Sequence, residues 1–132
     1  ADRTVPGQFE GGSRGMSVET MIDTANRVGA AAWLTVPHKA DDEYVRGMAE
    51  IACERISESS PIYVEYSNEV WNTIFAQTGY VQEQGCAANL NQVGAYPGQC
   101  SDDGARYWAG AKYNARRSAE IFKIFSETCG DH

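Results

Sequence analysis

From Ser17 onward the apolar positions fall into regular spacings. Val18, Met21, Ile22, Ala25 and Val28 recur at helical intervals, and Gly29 stands where a helix C-cap belongs. Ala31 to Val36 is a short apolar run containing Trp33 and stopped by Pro37, which reads as a buried strand. Asp41 is placed to N-cap a second helix with Val45, Met48, Ala49, Ala52 and Ile56 on one face. Pro61 to Ser67 is a second strand, and a third helix is expected from about Val70 to Gln84, ended by Gly85. Gly85 to Ser101 is rich in Gly, Asn and Gln and contains Pro97, so it reads as a loop. Asp102 or Asp103 then caps a last helix whose Trp108, Ala111, Ala115, Ala119, Phe122 and Phe125 form an apolar stripe. Residues 1–15 carry five glycines and prolines between charges, without periodicity, and read as an irregular N-terminal arm.

The order is helix, strand, helix, strand, helix, loop, helix. It contains one strand-helix-strand unit, which implies parallel strands and a right-handed crossover. The expected fold class is α/β: a partial (β/α) barrel-like segment with parallel strands and flanking helices, forming one domain over residues 16–132. A complete (β/α)₈ barrel needs about 200 residues or more, and this chain has 132.

Composition narrows the partners. A net charge of -7 argues against nucleic acid and anionic membranes, which both need a basic face, but leaves neutral polysaccharides open. No apolar run approaches the roughly 18 residues of a membrane span. Ala1-Asp2-Arg3-Thr4 opens a polar stretch without the apolar core of a signal peptide, as a mature secreted chain would. Cys53, Cys86, Cys100 and Cys129 have no C-x-x-C spacing, so a zinc site is not expected. A disulfide between Cys86 and Cys100 would close the polar loop between them and favour an oxidising compartment; the alternative is four free, partly buried thiols.

The densest chemistry lies in Tyr63-Val64-Glu65-Tyr66-Ser67-Asn68-Glu69-Val70-Trp71-Asn72, where a strand runs into an Asn-Glu pair. Carboxylates at strand C-terminal ends are where α/β enzymes place catalytic groups. If the strand continued through Glu69, alternation would set Glu65, Ser67 and Glu69 on one face, with the two carboxylates roughly 13 Å apart. Retaining glycosidases need about 5 Å and inverting ones about 6.5 to 9.5 Å, so Glu65 is not the partner of Glu69.

Asn-Glu at a strand end resembles the signature of the large clan of retaining glycoside hydrolases on TIM barrels. The resemblance implies that Glu69 is the general acid/base and that Asn68 holds the sugar 2-hydroxyl. The ten-residue string also resembles a group of mostly uncharacterised bacterial secreted proteins often labelled cellulose-binding. That likeness extends through Met21-Ile22-Asp23, Trp33-Leu34-Thr35-Val36-Pro37-His38 and the Tyr107-to-Phe125 helix. It implies a secreted glycosidase of cellulase type on β-linked polysaccharide, with a non-catalytic carbohydrate-binding module as the alternative. The clan's nucleophile, a second Glu on a seventh strand, has no counterpart here. A second copy pairing through open strand edges is one way to complete such a site.

Around that string, His38 follows the first strand and would share an edge with Glu69 if the strands are parallel. It could hydrogen-bond a sugar or tune the acid, or simply cap the next loop. Trp71 and Tyr66 are candidate sugar contacts. Trp33 and Trp108 are assigned to core packing. Glu65 is either a substrate-side carboxylate or one satisfied by an arginine such as Arg46 or Arg106. Asp41, Asp42 and Glu43 read as helix-capping acids. With His38 they match no metal-ligand pattern, so no metal or cofactor is expected.

Overall fold

The computed structural model describes residues 15–130, so the N-terminal arm read at 1–15 lies almost wholly outside it. The elements are α1 (Val18–Val28), β1 (Ala32–Val36), α2 (Asp42–Arg55), β2 (Ile62–Tyr66), α3 (Ala76–Ala87), a 3₁₀ turn (Leu90–Gln92) and α4 (Asp103–Cys129). The element order is the one read from periodicity. The fold class is not. Helices of 11, 14, 12 and 27 residues stand against two strands of 5 residues each. The fold is mostly helical, with one two-stranded parallel sheet, and no barrel-like α/β architecture forms.

Two compact units divide the chain: residues 15–65 with 121–130, and residues 66–120. In the first, Ser17 N-caps α1 by accepting a hydrogen bond from the Thr20 amide, and Gly29 ends it at φ 65°, a left-handed value that costs glycine little. Asp41 caps α2 through the Tyr44 amide at 2.9 Å. Val45, Met48, Ala49, Ala52 and Ile56 are all buried, as the spacing predicts. The end of α2 is tied to α1 twice. Arg55 grips Asp23 with its guanidinium at 2.7 Å, and the Asn26 amide donates to the Arg55 carbonyl at 2.7 Å. Cys53–Cys129 closes this unit covalently. Along β1, Ala32, Leu34 and Val36 are buried while Trp33 and Thr35 face outward.

The second unit departs further from expectation. The strand stops at Tyr66, and α3 begins at Ala76 rather than near Val70. Gly85 does not end α3 but lies inside it. A Cβ there would stand 2.2 Å from the Ala109 carbonyl oxygen, so the glycine is what lets α3 and α4 approach. Asp102 caps α4 through the Ala105 amide at 2.9 Å. The stripe expected on α4 is largely exposed. Of that stripe only Phe125 is buried; the other buried α4 positions are Ala105, Ala109, Gly110, Arg117, Ile121 and Ile124. Cys86–Cys100 closes the loop after α3. Lys112 Nζ reinforces that loop by donating to the carbonyls of Leu90, Val93 and Ala95. Among the described residues no helix is long and apolar enough to cross a membrane. Two disulfides are compatible with an extracellular protein.

Candidate functional site

The chain leaves β2 through a strained turn. Ser67 (φ 59°) and Glu69 (φ 48°) both take left-handed conformations without being glycine. Each such residue costs about 1–2 kcal/mol unless local contacts hold it. Because β2 ends at Tyr66 and Ser67 turns left-handed, the strand alternation that would put Glu65, Ser67 and Glu69 on one face does not extend to Glu69.

Asn72 holds the turn. Its backbone N–H donates to the Glu69 carbonyl at 2.9 Å, and its side-chain amide donates to the Glu69 carboxylate at 2.9 Å. Its own side-chain oxygen accepts from the Ile74 amide at 3.2 Å, and its carbonyl accepts from the Thr78 hydroxyl. Gln77 closes the other side by donating to the Asn68 carbonyl at 2.7 Å. The Glu69 carboxylate is thus fixed by a residue three positions on, whose role was not singled out from sequence.

Immediately after Glu69, Val70 and Trp71 line a cavity of about 150 Å³. Its other walls are Val81 and Gln82 from α3 and Tyr107, Gly110, Ala111 and Asn114 from α4. The α4 residues sit at i, i+3, i+4 and i+7, one face of the helix, with small residues between an aromatic and an amide. The expected apolar stripe of α4 shares only Ala111 with this face. Asn114 Oδ1 is fully buried and has no hydrogen-bond partner. An unsatisfied buried acceptor costs about 1–3 kcal/mol. Trp71 is 62% exposed and offers a ring face at the rim.

The remaining predicted residues are distributed differently. Tyr66 is only 4% exposed and packs edge-on to Tyr113, with ring centroids 6.5 Å apart, so it presents no face to a ligand. Burial, then the neighbouring Tyr113 and Tyr80, push its hydroxyl well above the usual tyrosine range. Asn68 is exposed beside Glu69. His38 belongs to the first unit, in the turn after β1 and Pro37, where burial and then Lys39 lower its pKa. Within the first unit Glu65 forms no salt bridge with Arg46; it accepts a hydrogen bond from the Trp33 indole at 3.0 Å. Trp33 is 65% exposed, and Trp108 stacks on Tyr96 at 4.9 Å, so neither is the core residue expected. Trp33 sits on the uncovered face of its strand, which an apolar run alone does not reveal. A larger cavity of about 320 Å³ in the first unit, walled by Ile56, Pro61, Ile62, Phe122, Phe125 and the Cys53–Cys129 disulfide, contains no charged lining residue and none of the candidate residues. Among the described residues no group of three or more His, Cys, Asp or Glu is arranged to hold a metal ion. Comparison with models of known protein families, with curated proteins and with solved structures found no match.

Proposed function

We propose that this protein is an extracellular carbohydrate-binding protein that takes one ring of a neutral β-linked polysaccharide at the cavity beside Glu69. The observation that carries the reading is the cavity of about 150 Å³ whose walls pair the aromatic side chains of Trp71 and Tyr107 with the amides of Gln82 and Asn114. A cavity of this volume has room for about one six-membered ring. A pyranose suits such walls, with a C–H face to lie against aromatic rings and hydroxyls to exchange hydrogen bonds with side-chain amides. Asn68 and Glu69 directly precede Val70 and Trp71 in the chain and add hydrogen-bonding groups to the same turn. The acidic chain, at -7, disfavours an anionic polymer. The likeness of the Tyr63-to-Asn72 string to proteins labelled cellulose-binding points the same way.

Glycoside hydrolysis is the second reading, favoured by the Glu69 carboxylate being clamped by Asn72 on a strained turn. It needs a second carboxylate, and the residues lining the cavity include none. Calorimetric titration with cellohexaose, run beside a reducing-sugar assay on cellulose and β-glucan, separates the two. Binding by the wild type, weakened about tenfold in Trp71→Ala and within a few-fold in Glu69→Gln, with no sugar released by either enzyme form, supports binding alone. Sugar release that Glu69→Gln abolishes supports hydrolysis. No binding and no release sinks both.

A further inference from the structure

The first unit carries a second aromatic surface that shares no residue with the cavity beside Glu69. On the outer face of the two-stranded sheet, Trp33 from β1 and Tyr63 from β2 stand side by side, 65% and 53% exposed. Their ring centroids are 5.9 Å apart and their planes differ by 37°. The indole N–H of Trp33 donates to Glu65 Oε2 at 3.0 Å, which fixes the Trp33 ring without covering its face. Both rings and the carboxylate project from regular strands, so their positions cost no left-handed backbone.

We infer that this shelf is a second carbohydrate-contact surface, on which Trp33 and Tyr63 stack against pyranose rings and Glu65 accepts hydrogen bonds from sugar hydroxyls. The chemistry of the patch selects that occupant. A carboxylate accepts about four hydrogen bonds, and the indole takes one. A purely hydrocarbon partner would strip water from Glu65 and return no donor. A second copy docking by a two-fold axis would bring Glu65 toward Glu65 on a chain already at -7. A cation caged by aromatics favours rings standing as walls around it, whereas a 37° tilt makes a shallow platform. A sugar ring meets every term, with an apolar C–H face for the rings and hydroxyls at its edge. The inference shares its ligand class with the reading above but none of its residues, so either can fall alone.

The chain has three tryptophans, hence three indole N–H resonances in an NMR spectrum. The Trp33 signal is assigned by its disappearance in Trp33→Phe, and that of Trp71 likewise. Titrating cellohexaose into the ¹⁵N-labelled wild type should shift the Trp33 indole signal in a saturable way, and should do so again in Trp71→Ala. A Trp71 signal that moves while Trp33 stays still overturns the shelf and leaves the cavity standing. A Trp33 signal indifferent to the sugar but shifted by tetramethylammonium replaces the sugar with a cation. If dilution of the protein alone moves it, self-association is the occupant. Silence of both signals removes both sites.

Discussion

In the unit formed by residues 15–65 and 121–130, every described residue with positive φ is a glycine: Gly15, Gly29 and Gly130. In residues 66–120 the same backbone region holds Ser67, Glu69, Asn89 and Tyr96, with Gly94 the one glycine. The first unit puts its left-handed positions where local chemistry allows them at little cost. The second puts them on residues with side chains, at about 1–2 kcal/mol each, and recruits Asn72, Gln77, Lys112 and a disulfide around them. Strain that needs this much support marks the place to look for function, and the cavity walled by Trp71, Tyr107 and Asn114 lies in that unit.

Four sets of variants break or sharpen the contrast. The disulfides come first. Cys53–Cys129 spans 76 residues and Cys86–Cys100 spans 14, which by loop-closure entropy correspond to about 4 and about 3 kcal/mol. Thermal melts followed by circular dichroism should show a larger loss for Cys53→Ala/Cys129→Ala than for Cys86→Ala/Cys100→Ala. The reverse order would mean that the strained unit depends more on its staple than chain entropy allows.

Glycine-to-alanine changes come next and should have opposite signs. Gly85→Ala drives a methyl into the Ala109 carbonyl and should destabilise by about 1–3 kcal/mol. Gly47→Ala, mid-helix in α2 with open space around it, should stabilise by about 0.5–1 kcal/mol. Urea titration measures both. Asn72→Ala should cost about 1–2 kcal/mol through the lost side-chain hydrogen bonds and also weaken cellohexaose binding several-fold, since the turn carries Trp71. Unchanged affinity there would detach the turn from the cavity.

The smallest effect is a pH dependence in the first unit. Burial and Lys39 lower the His38 pKa in the folded state. The neutral form is therefore favoured by folding, and its contribution is complete above the unfolded value of about 6.5. It shrinks as pH falls through the lowered folded value, below which both states are protonated. His38→Gln should flatten melting temperature against pH over that range, by little because the imidazole is mostly solvated.

The same division governs what could be read from the chain. In the first unit, the Ser17 and Asp41 caps, the Gly29 terminus and the buried face of α2 follow directly from residue type and spacing. In the second, no sequence signal announces a left-handed Ser67 or Glu69, and periodicity alone predicts a helix from about Val70, where the structure begins α3 at Ala76. Gly85 looked like a helix end because its role, making room for the α4 backbone, is tertiary. On α4, counting alanine as apolar pointed to Ala111, Ala115 and Ala119, while the buried face includes Arg117, paired with Glu120 at 3.1 Å. Glu69, Asn68 and Trp71 were legible as candidates from the Asn-Glu string. Asn114 and Tyr107 were not, because they join the site only once α4 packs. The barrel-like fold failed because two five-residue strands do not make a barrel wall, whatever motif ends them.

A sugar in the cavity must touch the side chains of both Asn114 and Trp71, which wall it. Side-chain amide resonances of Asn114, assigned by their loss in Asn114→Ala, report on it directly during a titration with cellotriose. Saturable shifts of those signals together with the Trp71 indole are the predicted result. Signals that stay fixed at millimolar sugar would contradict it.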